Sequence, residues 1–273
     1  MLPRRNAMSA IRQPAVAGLF YPEKPAELQQ VIKRLLEHAH PTVATPPKAL
    51  IVPHAGYIYS GSTAAEAFAT LRQRADKIRR VVLLGPSHRV GFGGIAFCSA
   101  DFYRTPLGDI PVDQSAFVAI SNLPNVGMLD RAHSQEHCLE VQLPFLQTIL
   151  RDFSLVPLVV GDVDHDDVAR VLEKLWGGDE TLILISSDLS HYHDYATAHA
   201  LDKRTCSAIE QCLPDAIGDE QACGRVPVKG LLALARRKHL HIHTLALCNS
   251  GDTAGDRNRV VGYGAWAFYE SEP

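Results

Sequence analysis

Two histidines stand where an α/β protein does its chemistry. His54 follows the apolar run Ala49-Leu50-Ile51-Val52 and a terminating Pro53, and His88 follows Arg80-Val81-Val82-Leu83-Leu84 and Gly85-Pro86-Ser87. A short unbroken apolar run reads as a strand covered on both faces, and proline ends it for want of an N–H. Ligands of open α/β sheets bind beyond the carboxyl ends of the strands. Two such histidines meet in one crevice if their strands are neighbours. A third run, Thr181-Leu182-Ile183-Leu184-Ile185, leads to Asp188 and His191, and Asp252 and Asp256 follow a fourth segment near the C-terminal end of the sequence.

Two imidazoles and one carboxylate on one face, with other positions open, form the non-haem Fe(II) arrangement. The same ligands hold zinc for hydrolysis. His54, His88 and Asp252 are therefore the expected metal ligands, with Fe(II) the expected ion. Asp256 is the competing carboxylate, and Cys248 is a softer third donor that favours copper or zinc. His191 is the expected general acid/base, because an imidazole pKa of about 6.5 suits proton transfer near neutrality. Asp188 orients it or accepts a hydrogen bond from a ligand histidine; capping the next helix is the competing role. His137 and Glu140, three residues apart, share a face if they lie on a helix, either as supporting partners of the ligands or as exposed surface. Ser186-Ser187 lacks the G-x-S-x-G setting of a hydrolase serine, and the glycine-rich stretches at 91–94 and 251–256 match neither a phosphate loop nor a dinucleotide fingerprint.

The elements that must position these residues alternate between strand and helix. Apolar stripes predict helices from about residue 24 (Leu28, Val31, Ile32, Leu35, Leu36), over 62–74 with Ser60 or Ser62 as cap, and over 112–121, 168–175, 198–212 and 226–238. Residues 131–150 read as a helix beginning near 134 and interrupted at Pro144, and 103–108 as a turn-rich loop. Further strands are expected at 95–98, 154–160, 243–248 and 260–269. This alternation argues for an α/β fold, a single domain over 1–273 with a largely parallel central sheet flanked by helices, the first ten residues being disordered.

Composition narrows the function classes. The 273 residues are 46% hydrophobic and 21% charged with a formal net charge of -3, ordinary for a globular protein. No basic stripe suggests nucleic acid, and no apolar stretch approaches the roughly 20 residues of a membrane span. The basic N-terminal segment has no apolar core of a signal peptide, so the expected location is the cytoplasm. Six cysteines without a C-x-x-C pair argue against a disulfide framework or structural zinc cluster.

Several motifs together carry a family resemblance: PHAGYIYSG, GPSH, YRTPLGD (103–109), EHCLEVQLPF (136–145), SSDLSH (186–191), CGRVPV (223–228) and VVGYGAW (260–266), preceded by AGLFYP (17–22). The chain resembles the Memo family, whose bacterial and archaeal members are called AmmeMemoRadiSam system protein B. That resemblance implies a fold similar to class III extradiol dioxygenases, with a metal pocket at the sheet edge. It implies that the histidines of PHAGY and GPSH, His54 and His88, are ligands. The third ligand of animal members, a cysteine of the C-terminal loop, then falls on Asp252, restoring a two-histidine, one-carboxylate set. His191 matches the dioxygenase acid/base. The resemblance further implies dioxygenase-like oxidoreductase activity or peptide binding, and association with a radical-SAM protein and an AMMECR1-like protein.

Overall fold

The computed structural model describes residues 9–41 and 45–270; most of the expected N-terminal disorder falls on 1–8, outside the described residues. The core is a nine-stranded sheet. Its centre consists of Ala49–Val52, Thr181–Ser186, Arg80–Pro86 and Ser154–Val160 in that spatial order, all parallel. These are the continuous apolar runs of the sequence. Their side chains are buried on both faces, as in a sheet covered by helices. The sheet as a whole is mixed. Val260–Tyr269 joins antiparallel beside Ala49–Val52, and Ile95–Phe97 joins antiparallel beside Ser154–Val160. The two final strands form a hairpin, His241–Asn249 against Val260–Tyr269, which a short loop allows only in antiparallel sense.

Register matters for function. Val52 pairs with Ser186 and Leu84 with Ile185, so the three central strands end level with one another. Whatever follows them emerges at one edge.

Several expected elements shift. The helix after PHAGY runs over Tyr57–Ala69, with Gly56 at its start; neither Ser60 nor Ser62 caps it, and the Ser60 hydroxyl donates to the carbonyl of Ala55. Residues 131–150 are not one interrupted helix. A 3-10 turn over Glu140–Gln142 feeds the helix Leu143–Ile149, so Pro144 lies in the first turn, where its missing N–H is harmless. Residues 103–108 belong to a hairpin, Phe102–Thr105 with Gly108–Pro111, that pairs in parallel with Ile11–Arg12.

Glu140 is not a partner of His137. Its fully buried carboxylate accepts from Arg12, from the backbone N–H groups of Ala15 and Val16, and from the Tyr21 hydroxyl. It pins the segment 12–21 against the sheet edge, where the Phe20 ring comes 4.9 Å from that of His137.

Candidate metal centre

The level strand ends release His54, Asp188 and His88 over a single edge of the sheet. The ring centroids of His54 and His88 are 5.1 Å apart. A third imidazole completes the cluster: His137 lies 5.4 Å from His54 and 4.6 Å from His88. One ring nitrogen from each of the three lies within 4.8 Å of the others.

The hydrogen-bond count assigns the tautomer of His54. The Ser186 hydroxyl has one proton, and it goes to the carbonyl of Cys138 at 2.6 Å. Gln142 Nε2 donates to the same oxygen at 2.8 Å and to the Pro53 carbonyl at 3.0 Å. Ser186 Oγ can then only accept from His54 Nδ1, 2.9 Å away. The lone pair of His54 is then on Nε2, the nitrogen that faces the other two rings. His88 is oriented likewise: its Nδ1 is 2.8 Å from Glu136 Oε1, and its backbone N–H donates to Glu136 Oε2 at 2.6 Å. Among the described residues, His137 Nδ1 is buried without a hydrogen-bond partner.

Electrostatics keep these rings ready to bind. Burial drives the pKa of His54 well below the ordinary histidine value, and charge on His88 adds to the effect. Burial and then charge on His54 bring His137 down to about 4. Both are neutral at physiological pH, the form that ligates. Burial pushes Glu136 up, but the hydrogen bond and charge of His88 outweigh it and hold the carboxyl at about 2.

A thiol stands at the same place. Cys223 Sγ is 3.3 Å from His54 Nε2. Burial, and then the charge of Asp188, raises its pKa, so the S–H donates to the imidazole lone pair. Gly224 makes this approach possible, since a Cβ there would stand 2.7 Å from Ser187 Cβ and 2.9 Å from the Ser186 carbonyl oxygen.

Asp188 is buried, and its Oδ1 accepts the backbone N–H of His54 at 2.7 Å; Oδ2 lies 3.9 Å from His54 Nε2. It caps no helix; that role belongs to Asp194, which accepts from Ala196 and Thr197. Burial raises the Asp188 pKa, opposed by the His54 N–H and by charge on His191. His191 donates from Nδ1 to the Leu189 carbonyl at 2.8 Å, which fixes the ring by that nitrogen.

Asp252, expected as third ligand, is not brought into the histidine cluster. Its carboxylate accepts from Asn249 N at 3.0 Å and from the Tyr195 hydroxyl at 2.6 Å, a capping arrangement at the end of the final hairpin's first strand. Asp256 is exposed and bonded to Asn258, and the Cys248 thiol contacts Thr63. The strand His241–Asn249 lies beyond Val260–Tyr269 from the central strands, and Asp252 belongs to none of the metal-competent groups among the described residues. The cysteine at the centre belongs to CGRVPV instead. Its signal was the Cys-Gly pair, since glycine marks close backbone approach. The carboxylate beside His88 and His137 is Glu136 and not Glu140, because residues 135–139 form an irregular turn without helical spacing.

The donor set is three imidazoles and a thiol, with an orphaned buried nitrogen among them. Such soft and borderline donors suit first-row transition ions and not calcium or magnesium, which take oxygen. The residues present fit a transition-metal ion.

A family model described as Memo-like protein matches residues 12–267. A MEMO1 family protein of Aquifex aeolicus is 38% identical over 268 residues, covering 93% of this chain and 97% of the relative. One from Thermotoga neapolitana is 36% identical over 277 residues, covering 93% and 98%. Among solved structures, an uncharacterized protein from Escherichia coli K12 aligns over 80% of this chain and 98% of its own with a TM-score of 0.53. At 10% identity that likeness concerns the fold alone.

Proposed function

The chain belongs to the Memo family, and on that premise we propose that it is a mononuclear metalloprotein acting on a small-molecule substrate at the sheet edge, with Fe(II) as its ion. The observation that carries this reading is the convergence of His54, His88 and His137 within 4.8 Å, with the protons of the first two rings held on their outward nitrogens. When bound, such an ion supplies Lewis-acid and one-electron chemistry to a coordinated substrate.

The chain's own residues do the rest. His54, His88 and His137 would hold the ion, with the Cys223 thiol beside His54 as a further donor. Ser186 and Glu136 hold the rings of His54 and His88 in the ligating tautomer. Asp188 fixes the His54 backbone, and its second oxygen faces the interior of the site. His191, with Nδ1 committed to Leu189, takes or returns a proton at Nε2. Phe20 shields the His137 side from water.

Elemental analysis of anaerobically purified protein beside His54→Ala, His88→Ala and His137→Ala tests the reading. Near-stoichiometric iron in the wild type and its loss in all three variants is expected. Stoichiometric zinc or copper would replace the ion in this reading, and absence of any metal after anaerobic reconstitution would overturn it.

A further inference from the structure

Glu136 makes more contacts than a backbone cap requires. Its side chain is 1% exposed. Oε2 accepts the His88 backbone N–H at 2.6 Å, while Oε1 faces His88 Nδ1 at 2.8 Å, the His137 N–H at 3.0 Å and the Cys138 N–H at 3.1 Å. Oε1 also lies 3.3 Å from His137 Nδ1. One buried carboxylate thus touches two of the three clustered histidines, at ring and at backbone. By contrast, His54 is backed by a neutral hydroxyl, that of Ser186.

The three-histidine group contains no carboxylate, and the Cys223 thiol beside it is neutral. Asp252 is occupied elsewhere, and Asp188 stands on the His54 side, with Oδ2 3.9 Å from His54 Nε2, which leaves Glu136 as the carboxylate on the His88 side. A divalent ion placed among neutral donors away from water needs nearby negative charge. A carboxylate accepting the outer N–H of a ligand imidazole provides it, raising ligand basicity and fixing the ring's orientation.

We infer that Glu136 is the positioning residue of the metal centre, fixing the orientation of the His88 ring and supplying negative charge on the His88 and His137 side of the site. The inference rests on the metal reading above. The geometry also explains why His88 needs such a partner: it is the least buried of the three rings, with 27% of its side chain exposed against 2% for His54 and 12% for His137. Packing alone leaves it the freest to turn.

Two measurements test this, and they separate its failure from that of the metal reading. Long-range nitrogen–proton NMR on metal-free wild type reads the His88 tautomer with no ion present; a proton on Nδ1 is expected, and one on Nε2 overturns the inference. Competition with a chelator for Zn(II), used as the probe, reads the second part. Glu136→Gln is expected to lose 10- to 100-fold in affinity, because one amide oxygen cannot serve four donors and the amide N–H₂ adds a donor facing donors. Glu136→Asp keeps the charge and is expected to recover most of that loss. Wild-type affinity in Glu136→Gln, or an equal loss in both variants, overturns the inference. If Glu136→Gln does not fold, the tautomer and the Glu136→Asp affinity decide. A wild type that binds no zinc, iron or copper fails the metal reading instead, and the tautomer still reports on Glu136.

Discussion

His54 Nδ1 stands 2.9 Å from Ser186 Oγ, and this contact between two adjacent parallel strands decides which face of the imidazole carries the lone pair. Ser186→Ala removes one hydroxyl and strands three buried groups: the His54 N–H, a Gln142 amide proton and the Cys138 carbonyl. A loss of about 10-fold or more in metal affinity is expected, with a stability loss of about 1–3 kcal/mol. Chelator competition and urea unfolding measure the two effects; unchanged affinity would refute the tautomer assignment.

Asp252→Ala separates the sequence expectation from the geometry. With both carboxylate oxygens engaged by Asn249 and Tyr195, the variant should keep wild-type metal content. Stability should fall by about 1 kcal/mol, the worth of a capping interaction. Loss of metal from this variant would restore Asp252 as a ligand.

Gly224→Ala places a methyl group against Ser187 and the Ser186 carbonyl. Overpacking of this kind typically destabilises by about 1–3 kcal/mol. Here it should also push the Cys223 thiol away from His54, so the chelator titration should weaken along with the urea midpoint. A variant that loses stability but retains full affinity would show that Cys223 adds nothing to binding.

His133 gives the fold a pH dependence independent of the metal centre. Burial brings its pKa down to about 4, and the neutral ring is satisfied on both sides: Nε2–H donates to the Ala96 carbonyl at 3.0 Å and Nδ1 accepts from the Tyr103 hydroxyl at 2.6 Å. The unfolded chain takes up this proton near pH 6.5 and the folded chain only near 4. Stability is therefore lost as pH falls between those values, with no further loss from this residue below 4. The full difference is about 3 kcal/mol. Metal-free His54 and His137 act in the same direction. His133→Gln should be less stable at pH 7 yet lose less between 6.5 and 4, read from urea midpoints at each pH.

Arg12→Met leaves the Glu140 carboxylate buried with its three neutral donors but no cation. Removing one partner of a buried ion pair is expected to destabilise by about 3–5 kcal/mol. Urea unfolding checks the value, and a loss below about 1 kcal/mol would show that the hydrogen bonds alone suffice.

The central sheet was legible because its strands are unbroken apolar runs, a pattern that continues through burial on both faces. His54, His88, Asp188 and His191 were legible because they follow such runs. The third donor was harder to see. Whether a carboxylate beyond Asn249 points into the crevice depends on the local turn that holds it, and that is not written in periodicity: the Asp252 oxygens cap Asn249 and meet Tyr195. The roles of Glu136 and Glu140 were not legible for a related reason: they depend on an irregular turn at 135–139, where helical spacing does not apply, and on Arg12, 128 positions away from Glu140.

The level endings of the three parallel strands have a kinetic consequence. His54 and the hydroxyl that orients it are 132 positions apart, and parallel neighbours can meet only after a long crossover has closed. Successive donors of this centre lie at least 34 positions apart in the sequence, so a local stretch of the unfolded polypeptide offers an ion one donor at a time until native pairing brings them together. Loading with metal should then slow escape from the native state and leave the rate of reaching it unchanged.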